Sequence, residues 1–171
     1  RIGAAGVALG DLSTDEGAAT VHAQAIDALG GPVEILVNNA GGSSTDSSTR
    51  APLDVTIEEW IANYQGNTVS SVRMVHHTVP AMIQAGWGRV IQISSAVALQ
   101  PNSLGPDYSG AKASLNNFTV SLAGSLDGTG VTVNTVTPGI IMMDGLIRWA
   151  RDQYGDEAMS VEEITQRMVA D

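Results

Sequence analysis

The sequence predicts an α/β fold, with a parallel sheet sandwiched between helices in three α/β/α layers. Two observations predict it. Short apolar runs ending in Gly, Asn, Ser or Pro recur along the 171 residues, the form taken by strands buried on both faces. Each run is followed by a stretch with helical periodicity or a helix-capping signal, so strand and helix alternate as a sheet covered on both faces requires.

The elements follow in order. "GVALGD" (Gly6 to Asp11) is the first apolar run, read as a buried parallel strand. Ser13 with Glu16 three residues on forms a capping box that opens a helix to about Leu29, stopped by "GG" and Pro32. "VEILVNNAGG" (Val33 to Gly42) is a second strand running into Asn and Gly. A polar loop, "GGSSTDSSTRAPLDV", leads to a second capping box at Thr56 and Glu59. Beyond it Ile57, Ile61, Tyr64, Thr68, Val72, Val75, Val79 and Met82 keep to one face of a long helix, which Pro80 is expected to kink or end. "GWGRVIQISS" is a third strand, and Asp107 to about Leu126 a third helix. "VTVNTV" is a fourth strand ended by "TPG", with two weaker helical segments after it, the second capped by Ser160 and Glu163.

Length and composition narrow the function. Residues 1–171 make one domain's worth of chain, with 43% hydrophobic residues and 19 glycines. No apolar run approaches the roughly 18 residues of a membrane span, and no basic-then-apolar stretch follows Arg1, so no targeting signal is expected. Cysteine is absent, which excludes disulfides and thiolate chemistry and fits a cytoplasmic protein. A net charge of -10 argues against nucleic acid, which needs clustered Lys and Arg. His76 and His77 are adjacent and diverge by about 100° on a helix, and His22 lies on another element, so no metal site is expected. There is no G-x-S-x-G elbow for a serine hydrolase.

Three strand ends carry the informative residues: "NNAG" (Asn38 to Gly41), "ISS" (Ile93 to Ser95) and "TPG" (Thr137 to Gly139). Ligands of open parallel sheets bind beyond the carboxyl ends of the strands, so these segments are expected to line one crevice. The stretch "DYSGAK" joins them. Lys112 is the chain's only lysine and stands four residues after Tyr108, so both project from one helix face. An unperturbed phenol ionises only near pH 10, and a neighbouring ammonium lowers that value. A tyrosine so tuned passes a proton to or from an alcohol or carbonyl oxygen. Ser95 can hold the same oxygen, and Asn67 can complete a polar relay. Each feature alone has an ordinary structural reading; the conjunction does not.

"NNAG", Asn67, "ISS", "YSGAK" and "PG", in this order and spacing, resemble the short-chain dehydrogenase/reductase family over nearly the whole chain. The resemblance implies a Rossmann-like doubly wound fold and reversible hydride transfer between NAD or NADP and a secondary alcohol or ketone. Small carbonyl and 3-oxoacyl compounds are among the possible substrates. By it, Ser95 orients the substrate oxygen, Tyr108 is the acid/base, Lys112 supports the tyrosine and binds the nicotinamide ribose, and Asn67 supports the relay. Asp11 and Leu12 contact the adenine. Asn39, Ala40, Gly41 and Ile93 pass along the cofactor, and Pro138, Gly139 and Ile141 border the nicotinamide. The long helix and the Tyr108 helix are similar to the pair that family members pack into dimers or tetramers.

The chain departs from the family at its ends and after "PG". The glycine-rich T-G-x-x-x-G-x-G turn is not found in "RIGAAGVALGD", and "GVALGD" corresponds to the family's third strand. The first two strands would hold that strand and flank the central one, so the sheet is expected to be incomplete at both ends and the chain to belong to a longer protein. The competing expectation is a non-catalytic fragment or oligomerising module that binds no cofactor. Met143 stands where the family commonly has a cofactor-bonding threonine.

Overall fold

Helix α1 (Asp15–Leu29) starts on a turn that has already engaged its neighbours. Asp11 Oδ1 accepts from the Ser13 amide at 2.9 Å, and the Thr14 hydroxyl accepts from the Gly17 amide at 3.0 Å. Thr14 is therefore the N-cap, one residue beyond the expected Ser13, because the Asp11 carboxylate claims Ser13 first. Gly30, at φ 69°, closes the helix in the left-handed conformation that glycine adopts without strain.

The computed structural model describes residues 3–42, 50–101, 105–142 and 144–170. They form two compact units, one ending at Pro138 and one beginning at Gly139. In the first, strands β1 (Ile35–Asn38), β2 (Gly88–Ile93) and β3 (Val131–Val136) form a parallel sheet in the order β1-β2-β3. Leu36 pairs with Val90, and Val90 with Val133, so one buried row crosses the sheet.

Helices α2 (Ile57–Tyr64) and α3 (Ser70–Ala85) cross from β1 to β2, and α4 (Pro106–Ser125) crosses from β2 to β3. Every crossover steps in the same direction, and right-handed connections then put every helix on the same face. The core follows. Met74, Val75, Val79 and Met82 of α3 pack with Leu36, Val90, Val131 and Val133, joined by Ala18 of α1 and Phe118 and Leu122 of α4. Each fully buried aliphatic side chain contributes about 1.5–3 kcal/mol.

The parallel sheet with flanking helices is the expected arrangement in partial form, with one face of the sheet open among the described residues. Ile35, Val37 and Val136, on that open face, are 55%, 53% and 48% exposed. A second helical layer needs connections running the other way from the central strand, and these strands supply none.

"GVALGD" is not a strand either. Val7 and Leu9 are 80% and 74% exposed, and the Leu9 amide and carbonyl are taken by the Gln24 side chain. With no strand beside it among the described residues, the segment lacks the ladder partners a strand requires.

The long helix differs from its expected single face. Thr56 and Glu59 form the expected capping box, but a π-helical turn at Gln65–Val69 separates α2 from α3. The wider turn adds a residue and rotates the apolar stripe, so Ile57 and Ile61 are exposed while Thr68, Val75, Val79 and Met82 are buried. Pro80 lies inside α3 without ending it. Pro80 and His76, whose carbonyl it leaves without its helical donor, are both exposed, so the break in the hydrogen-bond ladder lies on the solvent side of the helix.

The second unit is a helix pair, α5 (Asp144–Tyr154) and α6 (Val161–Ala170), closed over Ala150, Met159 and Ile164. The expected Ser160–Glu163 capping box starts α6. Among the described residues no helix is long and apolar enough to cross a membrane.

Candidate active site

The strands end where the sequence expects them to, each running into one of the informative segments. After β1, Asn39, Ala40, Gly41 and Gly42 are exposed. Gly41 sits at φ 143°, and a Cβ there would stand 2.5 Å from Asn67 Oδ1. Asn67 lies in the π-helical turn, almost fully buried. Its Oδ1 accepts from the Gly42 amide at 2.9 Å, and its Nδ2 donates to the Gly42 carbonyl at 2.9 Å. This amide clamps the turn after β1 from both sides.

After β2 the two serines divide their work. Ser94 is buried, its amide donating to the Val136 carbonyl and its hydroxyl to the Lys112 carbonyl at 3.3 Å. Ser95 is half-buried at the start of a 3-10 turn (Ala96–Ala98), and its hydroxyl makes no hydrogen bond among the described residues. After β3, the Pro138 carbonyl accepts from the Ala96 amide at 2.9 Å, tying the segment behind Ser95 to the end of that strand.

Helix α4 brings the remaining pair. Gly105 in the left-handed region and Pro106 in the first turn start it, and the i, i+4 spacing stacks Tyr108 and Lys112. Lys112 is buried, its Nζ donating to the Ile93 carbonyl at 2.9 Å and standing 5.8 Å from the centre of the Tyr108 ring. Burial lowers the Lys112 pKa. Ser109 donates to the Val97 carbonyl and Thr68 to the Ala111 carbonyl, fixing α4 against the 3-10 turn and the π-helical turn.

A cleft of about 570 Å3 runs between the α1 approach and the β1 turn, lined by Asp11, Leu12, Ala40, Gly41, Gly42 and Asn67 among others. Arg73 holds its wall, donating to the Leu12 carbonyl at 3.3 Å and to Asp15 at 2.5 Å. Hydrogen bonds from Ser13 lower the Asp11 pKa.

The expected residues thus fall into two groups. Asp11, Leu12, Ala40, Gly41 and Asn67 share the cleft, with Asn39 next to Ala40 in the same turn. Ile93, Tyr108 and Lys112 meet at the end of β2, with Ser95 two residues beyond Ile93. Gly139 and Ile141 belong to the second unit, and Met143 lies outside the described residues. Among the described residues no cluster of three or more His, Asp or Glu side chains could hold a metal ion.

Sequence reasoning missed Asn63 and Asp107. Asp107 is fully buried and accepts a hydrogen bond from Asn63 Nδ2. The available signals were an acidic residue directly before Tyr108 and two asparagines, 63 and 67, at helical spacing.

The short chain dehydrogenase profile matches residues 3–153. Nodulation protein G of Azospirillum brasilense is 40% identical over 138 residues, covering 81% of this chain and 54% of that protein. The 3-oxoacyl-(acyl-carrier-protein) reductase of Pseudomonas aeruginosa is 36% identical over 134 residues, covering 78% and 52%. The chain thus spans about half the length of these curated relatives. L-sorbose reductase from Gluconobacter frateurii, solved in complex with NADPH and L-sorbose, superposes with a TM-score of 0.77 at 30% identity, over 86% of this chain and 54% of that one.

Proposed function

The chain belongs to the short-chain dehydrogenase family, and from that premise we propose that the protein is an NAD(P)-dependent oxidoreductase acting on a secondary alcohol or ketone. The observation that carries the reading is the Lys112 ammonium, anchored on the Ile93 carbonyl beside the Tyr108 ring.

The residues present fit the cofactor. Gly41 lies in the cleft at a backbone angle that side chains rarely adopt, and Ala40 and Gly42 keep the adjoining wall low. Asp11 and Leu12 form the opposite wall and would hold the adenosine end. Tyr108 and Lys112 would hold the nicotinamide ribose, Ile93 would pass along the cofactor, and Pro138 would border the ring. When bound, the nicotinamide supplies or accepts the hydride.

The chain's own residues supply the proton. Tyr108 gives its phenolic proton to the oxygen of a ketone undergoing reduction, and takes it back in the oxidation of an alcohol. The Lys112 ammonium stabilises the negative charge left on Tyr108. The Ser95 hydroxyl holds the same substrate oxygen. Asn67 holds the turn along which the cofactor runs.

The relative named as a 3-oxoacyl-(acyl-carrier-protein) reductase supports a small carbonyl or 3-oxoacyl substrate. Exposed Ile57 and Ile61 on α2 and Val120 on α4 support a homodimer or homotetramer built on those helices. The absence of cysteine supports a cytoplasmic location. Titration of NADH and NADPH into the natural protein, followed by nicotinamide fluorescence, tests the reading. Saturable binding of either is expected, and binding of neither contradicts it.

A further inference from the structure

Asp107 is a carboxylate that the proposed proton transfer does not use. It is fully buried in the first turn of α4, directly before Tyr108, and no basic side chain pairs with it among the described residues. Burying a charge without a cation is costly, and an amide or aliphatic side chain would fill the space at less cost. Its hydrogen bond shows what it does instead: one oxygen accepts from Asn63 Nδ2.

That contact sets a direction. The two ends of an asparagine amide are nearly alike in shape and opposite in hydrogen bonding. A carboxylate only accepts, so it turns Asn63 Nδ2 towards itself and Oδ1 away. Asn63 Oδ1 then accepts from Asn67 Nδ2 at 3.3 Å, beside the Asn63 carbonyl at 3.0 Å. With its Nδ2 so directed, Asn67 leaves Oδ1 for the Gly42 amide and gives its second N–H to the Gly42 carbonyl. Asp107 and Gly42 are thereby joined through two amides, the first oriented by the carboxylate and the second held by that amide together with the Asn63 carbonyl.

We propose that Asp107 is a positioning residue which, through Asn63 and Asn67, fixes the Gly41–Gly42 backbone along the cofactor cleft. It couples the helix that carries Tyr108 and Lys112 to the turn after β1. The inference rests on the oxidoreductase reading, because it assigns the Gly41–Gly42 turn to the cofactor.

Replacing both partners by apolar groups of similar shape is nearly neutral for stability. The variant Asn63→Leu/Asp107→Leu therefore separates positioning from folding. It is expected to melt close to wild type and to bind NADH or NADPH about fivefold to tenfold more weakly, the loss of roughly one hydrogen bond. Its kcat at saturating cofactor should stay within about threefold of wild type. Asp107→Asn, which can turn either its oxygen or its N–H towards Asn63 and so no longer fixes the direction of that amide, should weaken cofactor binding as well, by less than the leucine pair. Should the leucine pair fail to fold, Asn63→Ala/Asp107→Ala removes the same bonds without added bulk. Unchanged cofactor affinity in the folded double variant overturns the proposal. If the wild type also binds cofactor and Tyr108→Phe abolishes turnover, only this inference fails. If the wild type binds neither cofactor, both readings fail.

Discussion

The Lys112 ammonium stands 5.8 Å from the centre of the Tyr108 ring, held by a 2.9 Å hydrogen bond to the Ile93 carbonyl. The cation is therefore placed by the backbone at the end of β2 and waits beside the tyrosine without needing a ligand to recruit it. Lys112→Met is expected to fold and to lose turnover by about 100-fold or more, since it removes the charge that supports proton transfer. Steady-state kinetics at saturating cofactor checks this, and turnover within a few-fold of wild type contradicts it.

The same lysine makes stability depend on alkaline pH. Burial lowers its pKa below the ordinary 10.5. From the lowered value up to 10.5, the unfolded chain binds more protons than the folded one, so stability rises with pH across that interval. Across that interval the stability difference between wild type and Lys112→Met in thermal melts should shift in favour of wild type. A constant offset between the two curves contradicts the assignment.

Gly41 is the glycine most exposed to test. At φ 143°, with Asn67 Oδ1 2.5 Å from any added Cβ, Gly41→Ala must break the Asn67 clamp or strain the turn. A stability loss of about 1–3 kcal/mol and weaker cofactor binding are expected together. Chemical denaturation and fluorescence titration measure the two, and a neutral outcome in both contradicts the geometry.

Acid should loosen the contact between α1 and α3. The His22 and His77 rings stack with centres 5.4 Å apart, and burial, then the charge of His77, lowers the His22 pKa below 6.5. Between the lowered value and 6.5 the unfolded chain binds the extra proton, so stability falls as pH drops through that range. His22→Phe keeps a ring in place and removes the charge, and its melting temperature should fall less on acidification. An equal fall in both proteins contradicts the prediction.

What the sequence disclosed was set locally. The Thr56–Glu59 and Ser160–Glu163 boxes, the run of β3 and the stacking of Tyr108 on Lys112 each depend on residues a few positions apart, and each is found. What it concealed depends on distant partners. "GVALGD" has the composition of a strand and, among the described residues, no ladder to join. The π-helical turn at Gln65–Val69 breaks the helical period that placed Ile57 and Met82 on one face. The bond from Asn63 to Asp107 spans 44 residues, and no spacing rule announces it. In the candidate site the motif residues were legible one by one, while the roles of Ser94 under Lys112 and Asn67 on Gly42 emerged only with the fold.

The most direct test of the central claim is turnover of small ketones and 3-oxoacyl thioesters with NADH or NADPH, followed by nicotinamide absorbance, in wild type and Tyr108→Phe. Loss of the phenolic proton donor should lower kcat by about 100-fold to 10,000-fold and leave cofactor affinity nearly unchanged. Turnover in Tyr108→Phe equal to wild type would show that Tyr108 is not the acid/base.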